Sequence, residues 1–380
     1  MAPRVIDPHR LLFPLGAMFA IAGAIVWPLH RAGVLPWPGT LHGSLMVQGF
    51  ELAFVAGFLL TFLPRVTRTT ERVRAWDTPL VIAALLVFGA ASWMGAVAVA
   101  QAAFLAALLA LLAGLGARFL RRGNDPPEEF VFIPLGLLLG AAGGSFQLAD
   151  ALGLATEPAP RFGLRLVSLG MVLSLVLGVG AILVPTFIGL RDPLVIPKIS
   201  GPHERTVRRA LYALLALALL AAFALEAAGW PRAGAVTRAG AALFMLVWVW
   251  KLWRRPTRAG RLGWVLWSAG WLVGMGLLAM ALDPAHSIGF MHLTLLGGYG
   301  LLTAGIATRV LVTHGGHGIE AEAIVLDRFV VAGVALALAA RMAGERGGPG
   351  AATWLAASGV LWSAAWAWWL LRAWPRLRPG

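Results

Sequence analysis

Apolar residues run along this chain in twelve long stretches, with polar residues gathered in the short segments between them. The stretches cover residues 11–28, 39–64, 79–95, 98–117, 130–154, 163–190, 207–229, 233–250, 262–282, 285–313, 323–342 and 351–371. A membrane-crossing helix needs roughly 20 apolar residues. Backbone in lipid must also satisfy its own hydrogen bonds, so each stretch predicts a transmembrane helix. Residues 79–117 form one uncharged run, long enough for two helices with a break near Gly95. Every connecting segment is under 20 residues, so residues 1–380 read as a single polytopic membrane domain. The first stretch has the length of a signal peptide, but eleven more follow it, which makes it a retained helix.

Composition agrees with this picture. Hydrophobic residues make up 59% of the chain and charged residues 13%, where a soluble domain carries about 25% charged. Lys and Arg number 31 against 17 Asp and Glu, for a net charge of +14. The basic residues fall in loops between spans, which argues against nucleic acid as a partner and for the lipid bilayer. With the N-terminus inside, 24 of the 31 basic residues lie on the inner side and 7 on the outer. The positive-inside rule then places both termini in the cytoplasm. Cysteine is absent, which excludes disulfides, iron–sulfur clusters and thiolate metal sites.

Two of the eight histidines, His42 and His292, sit inside apolar stretches. In this topology the second and tenth helices both begin at the outer face, so the two imidazoles share a depth. An ionisable residue within a span is costly and marks a functional site by default. A hydrogen bond from each imidazole to a neighbouring helix is the structural alternative. At helical spacing His42 shares a face with Met46, Gly49, Ala53, Ala56 and Leu60, mostly small residues. Small residues allow close helix packing, and they equally leave room for a flat ligand. The face of His292 carries Leu295, Leu296, Tyr299, Thr303 and Ile306. An iron porphyrin held between two imidazoles accounts for both histidines.

Other polar residues are read more simply. Glu51 lies nine positions after His42, about 180° around an α-helix, and is expected to point elsewhere. Arg309 is expected to snorkel towards the inner surface, or else to pair with Glu51 or a second cofactor. Gln147 and Asp150 suit a capping or hydrated position. His314 and His317 stand three apart in a Gly-rich turn, which suits a solvated loop or a metal. His286 follows the turn Asp283-Pro284-Ala285 and faces the cofactor edge or the interface. Arg341, Arg346 and Arg165 are the outer cations available to acidic substituents of a cofactor. Trp362, Trp366 and Trp369 share a face of the last helix, as anchoring or packing residues do.

The segment His42-Gly-Ser-Leu-Met-Val-Gln-Gly-Phe50, with Val55 to Thr61 and Pro64, resembles the second-helix signature of the NnrS family. These are polytopic bacterial membrane proteins described as haem- and copper-containing and linked to nitric oxide stress and denitrification. His292-Leu-Thr-Leu-Leu-Gly-Gly, then Thr308-Arg309-Val310 and His314-Gly315, is similar to the family's helix-ten pattern. Val184-Pro185-Thr-Phe187 is similar to its helix-six segment. The resemblance implies a haem protein of the bacterial inner membrane, with haem (b-type) on His42 and His292 near Met46, Gly49, Tyr299 and Arg309. Nitric oxide or an electron donor is the implied partner.

Departures from the pattern limit what carries over. Where the family's helix two reads His-x-His-Glu, this chain has Ser44 and Leu45 after His42-Gly43. Ile182 stands where an arginine is expected before Pro185. Copper is therefore less supported than haem, its remaining ligands being Met46, His286 and His314. The architecture is analogous to the main subunit of haem–copper oxidases and nitric oxide reductases, which admits an oxidase-like bundle. Fold alone does not assign activity. Helices six and seven, read as 163–190 and 207–229, hold none of the histidines those enzymes need, and Phe290 and Thr294 flank His292 two residues away. A six-coordinate bis-histidine haem without a second metal is the expectation. A haem-dependent oxidoreductase or electron-transfer subunit, and a cofactor-free twelve-helix transporter, are the alternatives.

Overall fold

A computed structural model describes residues 7–69, 76–190, 201–258 and 260–377. Lipid-compatible backbone accounts for the outcome: the described residues form helices and turns, with no strand among them. The helices are α1 (His9–Arg31), α2 (Gly39–Val66), α3 (Asp77–Trp93), α4 (Val97–Leu120), α5 (Glu128–Ala151) and α6 (Ala159–Phe187). There follow α7 (His203–Ala227), α8 (Pro231–Val249), α9 (Arg261–Leu282), α10 (Pro284–His314), α11 (Arg328–Glu345) and α12 (Ala351–Leu377). Ten are long and apolar enough to cross a membrane, and the protein is a multi-pass membrane protein. The other two are α3, apolar but of 17 residues, and α11, which carries Arg328, Arg341 and Glu345.

Local chemistry fixes the boundaries. The uncharged run breaks where expected, with Gly95 at φ 72° between α3 and α4, a left-handed position that glycine adopts without steric cost. The Asp77 carboxylate on α3 and the Arg118 guanidinium on α4 then form an ion pair with both side chains fully buried. The eleventh helix starts later than the hydropathy pattern predicts. A short helix, Ala321–Val325, comes first, and Asp327 caps α11 by accepting from the backbone N–H groups of Phe329 (2.9 Å) and Val330 (3.2 Å). Capping of this kind satisfies amides that a helix start leaves unpaired. The start of α7 at His203 adds a histidine to helix seven that residues 207–229 left out, but His203 is exposed at the helix end.

Most consecutive helices pack as neighbours, and α12 closes against α1. The centre belongs to α2, α6 and α10, every fourth helix, whose apolar windows are 83%, 89% and 72% buried against 56% or less in the other seven candidates. In each of the three a short α-helical piece precedes a π-helical segment: Leu45–Glu51, Leu166–Met171 and Leu293–Tyr299. In a π segment the hydrogen bond spans five residues, so each residue turns the helix less than in an α-helix.

Candidate cofactor site

Both intramembrane histidines stand just before a π segment. His42 lies three residues ahead of Leu45 on α2, and His292 immediately precedes Leu293 on α10. His42 Nδ1 is 2.7 Å from the carbonyl oxygen of Gly23 on α1, and His292 Nδ1 is 2.7 Å from that of Ile288 one turn earlier. A carbonyl only accepts, so each Nδ1 carries the proton and donates it. The lone pair is left on Nε2, and the hydrogen bonds of the two rings among the described residues are those of Nδ1. This is how metal-ligating histidines are oriented, the second nitrogen fixing tautomer and ring direction.

The two rings lie close together between helices α2 and α10. Their centroids are 6.4 Å apart and their planes differ by 11°. A metal midway between two Nε2 atoms, with bonds of about 2 Å, puts ring centroids roughly 6 Å apart. The space between the elements is a narrow slot with a cavity volume of about 60 Å³. Its apolar walls include Trp27, Met46, Leu295, Leu296, Leu355 and Trp362, and its polar ones Glu51, Arg341 and Ser358. Trp27 stands edge-on to His42 at 5.4 Å. Arg341 is held by Glu345 at 2.7 Å and supplies a cation at the slot.

The family comparison matches the model described as NnrS protein over residues 5–379. The chain belongs to the NnrS family. Comparison with curated proteins finds no match. The NnrS match spans all twelve helices, α2 and α10 included.

Within this NnrS fold the residues singled out in the sequence part company. Met46 lines the slot beside His42. Gly49 turns from it, and a Cβ there would lie 2.8 Å from the Phe19 ring, so its smallness serves the contact with α1. Tyr299 is fully buried, and its Oη has no partner among the described residues. Arg309 does not meet Glu51. It pairs with Glu322 of the short helix, with one contact at 3.1 Å, and lies over Phe187 at 4.7 Å. Burial pushes the Glu322 carboxyl above its ordinary range, against the pull of Arg309. Of the other two arginines, Arg165 pairs with Glu226 at 3.4 Å, and Arg346 is not among the slot-lining residues.

The three histidine and methionine candidates for copper do not meet. Met46 is in the slot, and His286 is on an exposed turn where its ring hydrogen-bonds Asp283 at 2.8 Å. That bond holds the Asp283 carboxyl below the usual range. His314 lies at the far end of α10 with its ring 5.8 Å from that of His9, a neighbour not visible in the sequence, while His317 is exposed. Among the described residues no three His, Cys, Asp or Glu side chains group as a metal site.

Glu51 corrects the α-helical reading most clearly. An uninterrupted α-helix points it away from His42, yet it lines the same slot. The seven-residue π segment ending at Glu51 turns less per residue and brings the carboxyl round to the histidine side. Thr303 Oγ1 on α10 donates to Glu51 Oε2 at 3.2 Å. Sequence reasoning also missed the reciprocal amide pair of Gln48 and Gln101, at 2.7 and 3.0 Å between α2 and α4. Gln147, expected in a capping or hydrated position, donates to the Pro160 carbonyl.

The donors in the slot suit haem. Two neutral imidazoles with free Nε2 atoms, apolar walls and one cation match the needs of an iron porphyrin with acidic side groups. Ligand pockets run to about 300–1,000 Å³, so a porphyrin needs apolar walls such as Leu295, Leu296 and Leu355 to swing aside.

Proposed function

We propose that this NnrS-family protein binds haem in the bacterial inner membrane and acts in nitric oxide tolerance or denitrification. In this reading all twelve helices span the bilayer, both termini are cytoplasmic, and the slot opens in the outer half. His42 and His292 hold a b-type haem through Nε2, Met46 and Trp27 pack on the ring system, and Arg341 neutralises an acidic side group. Bound haem supplies a one-electron couple and an iron whose properties follow from its axial ligands and burial. The protein's part is to fix the imidazole tautomers, through Gly23 and Ile288, and to keep the site apolar.

The observation that carries the proposal is the pair of near-parallel imidazoles with both Nδ1 atoms occupied. A role for both histidines in helix packing alone explains the Nδ1 bonds but not two free Nε2 atoms facing one slot. No histidine lies on α6, and the one on α7 is exposed at its end. A second metal of the haem–copper type therefore has no ligand set here, and copper is not part of the proposal.

Absorption spectra of the purified protein test it. The wild type is expected to show a low-spin haem spectrum, and His42→Ala and His292→Ala to lose it. An unaltered spectrum in both variants contradicts the assignment. Protein purified colourless from haem-replete cells favours a transporter instead.

A further inference from the structure

Glu51 occupies a singular place among the described residues: it lines both the histidine slot and a second cavity. The second cavity has a volume of about 70 Å³ and lies along α2 from Phe54 to Leu59 and along α10 from Leu302 to Ala307. It therefore leads from the slot towards the end of the bundle where α1 begins. Its walls are apolar apart from Glu51 and Thr303, with Phe13, Val176 and Trp250 closing it. Each cavity has room for a few waters.

We infer that Glu51 is the proton-accepting group of the slot, taking up one proton through the second cavity when the bound haem gains one electron. The inference rests on the haem reading. Ferric iron in a porphyrin leaves the ring system one positive charge, and the Glu51 carboxylate balances it across the slot. An external one-electron reductant delivers an electron and removes that charge. The carboxylate then lies in a low-dielectric interior with nothing to balance it, a costly state. A proton from water in the second cavity binds a Glu51 oxygen and gives the neutral acid. Iron gains one electron, the carboxylate gains one proton, and the net charge of the slot is unchanged. Reoxidation returns both.

The charged and titratable groups around Glu51 are few. From α2 there is His42, from α10 His292 and Tyr299, and from α11 Arg341. Arg238 of α8 acts on Tyr299 electrostatically and is itself paired with Glu226 at 2.7 Å. From α1, α6 and α12 the cavity walls bring no charged group. Arg341 is bound to Glu345, and the imidazoles are fixed as neutral donors through Nε2, which leaves Glu51 as the group free to change charge. Thr303 Oγ1 donates to its carboxyl, and the buried Tyr299 hydroxyl, without a partner among the described residues, interacts with it electrostatically.

Redox titration from pH 6 to 9, with infrared difference spectra of reduced minus oxidised protein, tests this on the haem-loaded wild type, Glu51→Gln and Tyr299→Phe. The wild-type midpoint is expected to fall with pH, by up to about 59 mV for each tenfold drop in proton concentration. A carboxylic-acid C=O band should appear on reduction. Glu51→Gln is expected to keep the low-spin spectrum but to lose both the slope and the band, and Tyr299→Phe to keep the slope with a shifted band. A low-spin spectrum whose slope and band persist in Glu51→Gln overturns the inference and leaves the haem reading intact. A wild type without haem overturns both. If Glu51→Gln does not fold, a wild type with a flat midpoint and no carboxyl band suffices to overturn it.

Discussion

The carbonyl oxygens of Gly23 and Ile288 do more for the proposed site than any side chain beyond the two histidines. Each lies 2.7 Å from an Nδ1 atom and so selects the tautomer with a free Nε2. The Gly23 carbonyl belongs to α1, so the orientation of His42 depends on how closely α1 and α2 approach. A Cβ on residue 23 would meet Met46 Sδ at 3.0 Å and the Leu45 Cβ at 3.1 Å. Gly23→Leu is therefore expected to push the helices apart and to lower haem occupancy severalfold while His314→Ala leaves it unchanged. A pyridine haemochrome assay of both variants checks the contrast, and equal occupancy in the two counts against it. The Asp77–Arg118 pair makes a different residue-scale prediction. Removing one partner of a buried pair leaves an uncompensated charge and costs about 3–5 kcal/mol. Asp77→Ala should lower the thermal unfolding midpoint of the detergent-solubilised protein clearly, whereas an unchanged midpoint removes the pair from the stability account.

At the scale of single helices, the π segments are the feature that α-helical reasoning misses. Helix limits were legible within a few residues because apolar length and turn glycines report them directly, as at Gly95. The slot histidines were legible because an imidazole in an apolar run stands out in composition. Glu51 was not, because its direction depends on hydrogen-bond register, and no residue type announces a π turn. The start of α11 shifted for a related reason, since Asp327 caps a new helix in the middle of a continuous hydropathy signal. Partners far apart in sequence, such as His9 with His314 or Arg309 with Glu322, were likewise invisible to a reading of one helix at a time. Deleting Val47 shortens the π segment of α2 to an α-helical register and rotates one end against the other. The expected result is a folded protein that loses the low-spin spectrum or the pH dependence of its midpoint. A variant with both intact shows that the segment does not aim these groups.

Across the whole molecule, placing the three most buried helices at positions two, six and ten encloses the polar chemistry in a shell of lipid-facing helices. Two cavities then meet at one carboxyl near the centre. The proposed topology is open to direct test because the chain contains no cysteine. Single cysteines at Arg346 and at His317 are expected to react with a membrane-impermeant maleimide from opposite sides in spheroplasts, Arg346→Cys from outside. Labelling of both from the same side rejects the twelve-span arrangement with both termini inside.

The most direct test of the central claim is the electron paramagnetic resonance spectrum of the ferric protein. Imidazole planes only 11° apart act on the iron d orbitals along one direction, and the account predicts a rhombic low-spin signal that disappears in both His42→Ala and His292→Ala. A high-spin ferric signal in the wild type, or a low-spin signal that survives in both variants, contradicts a haem held between α2 and α10.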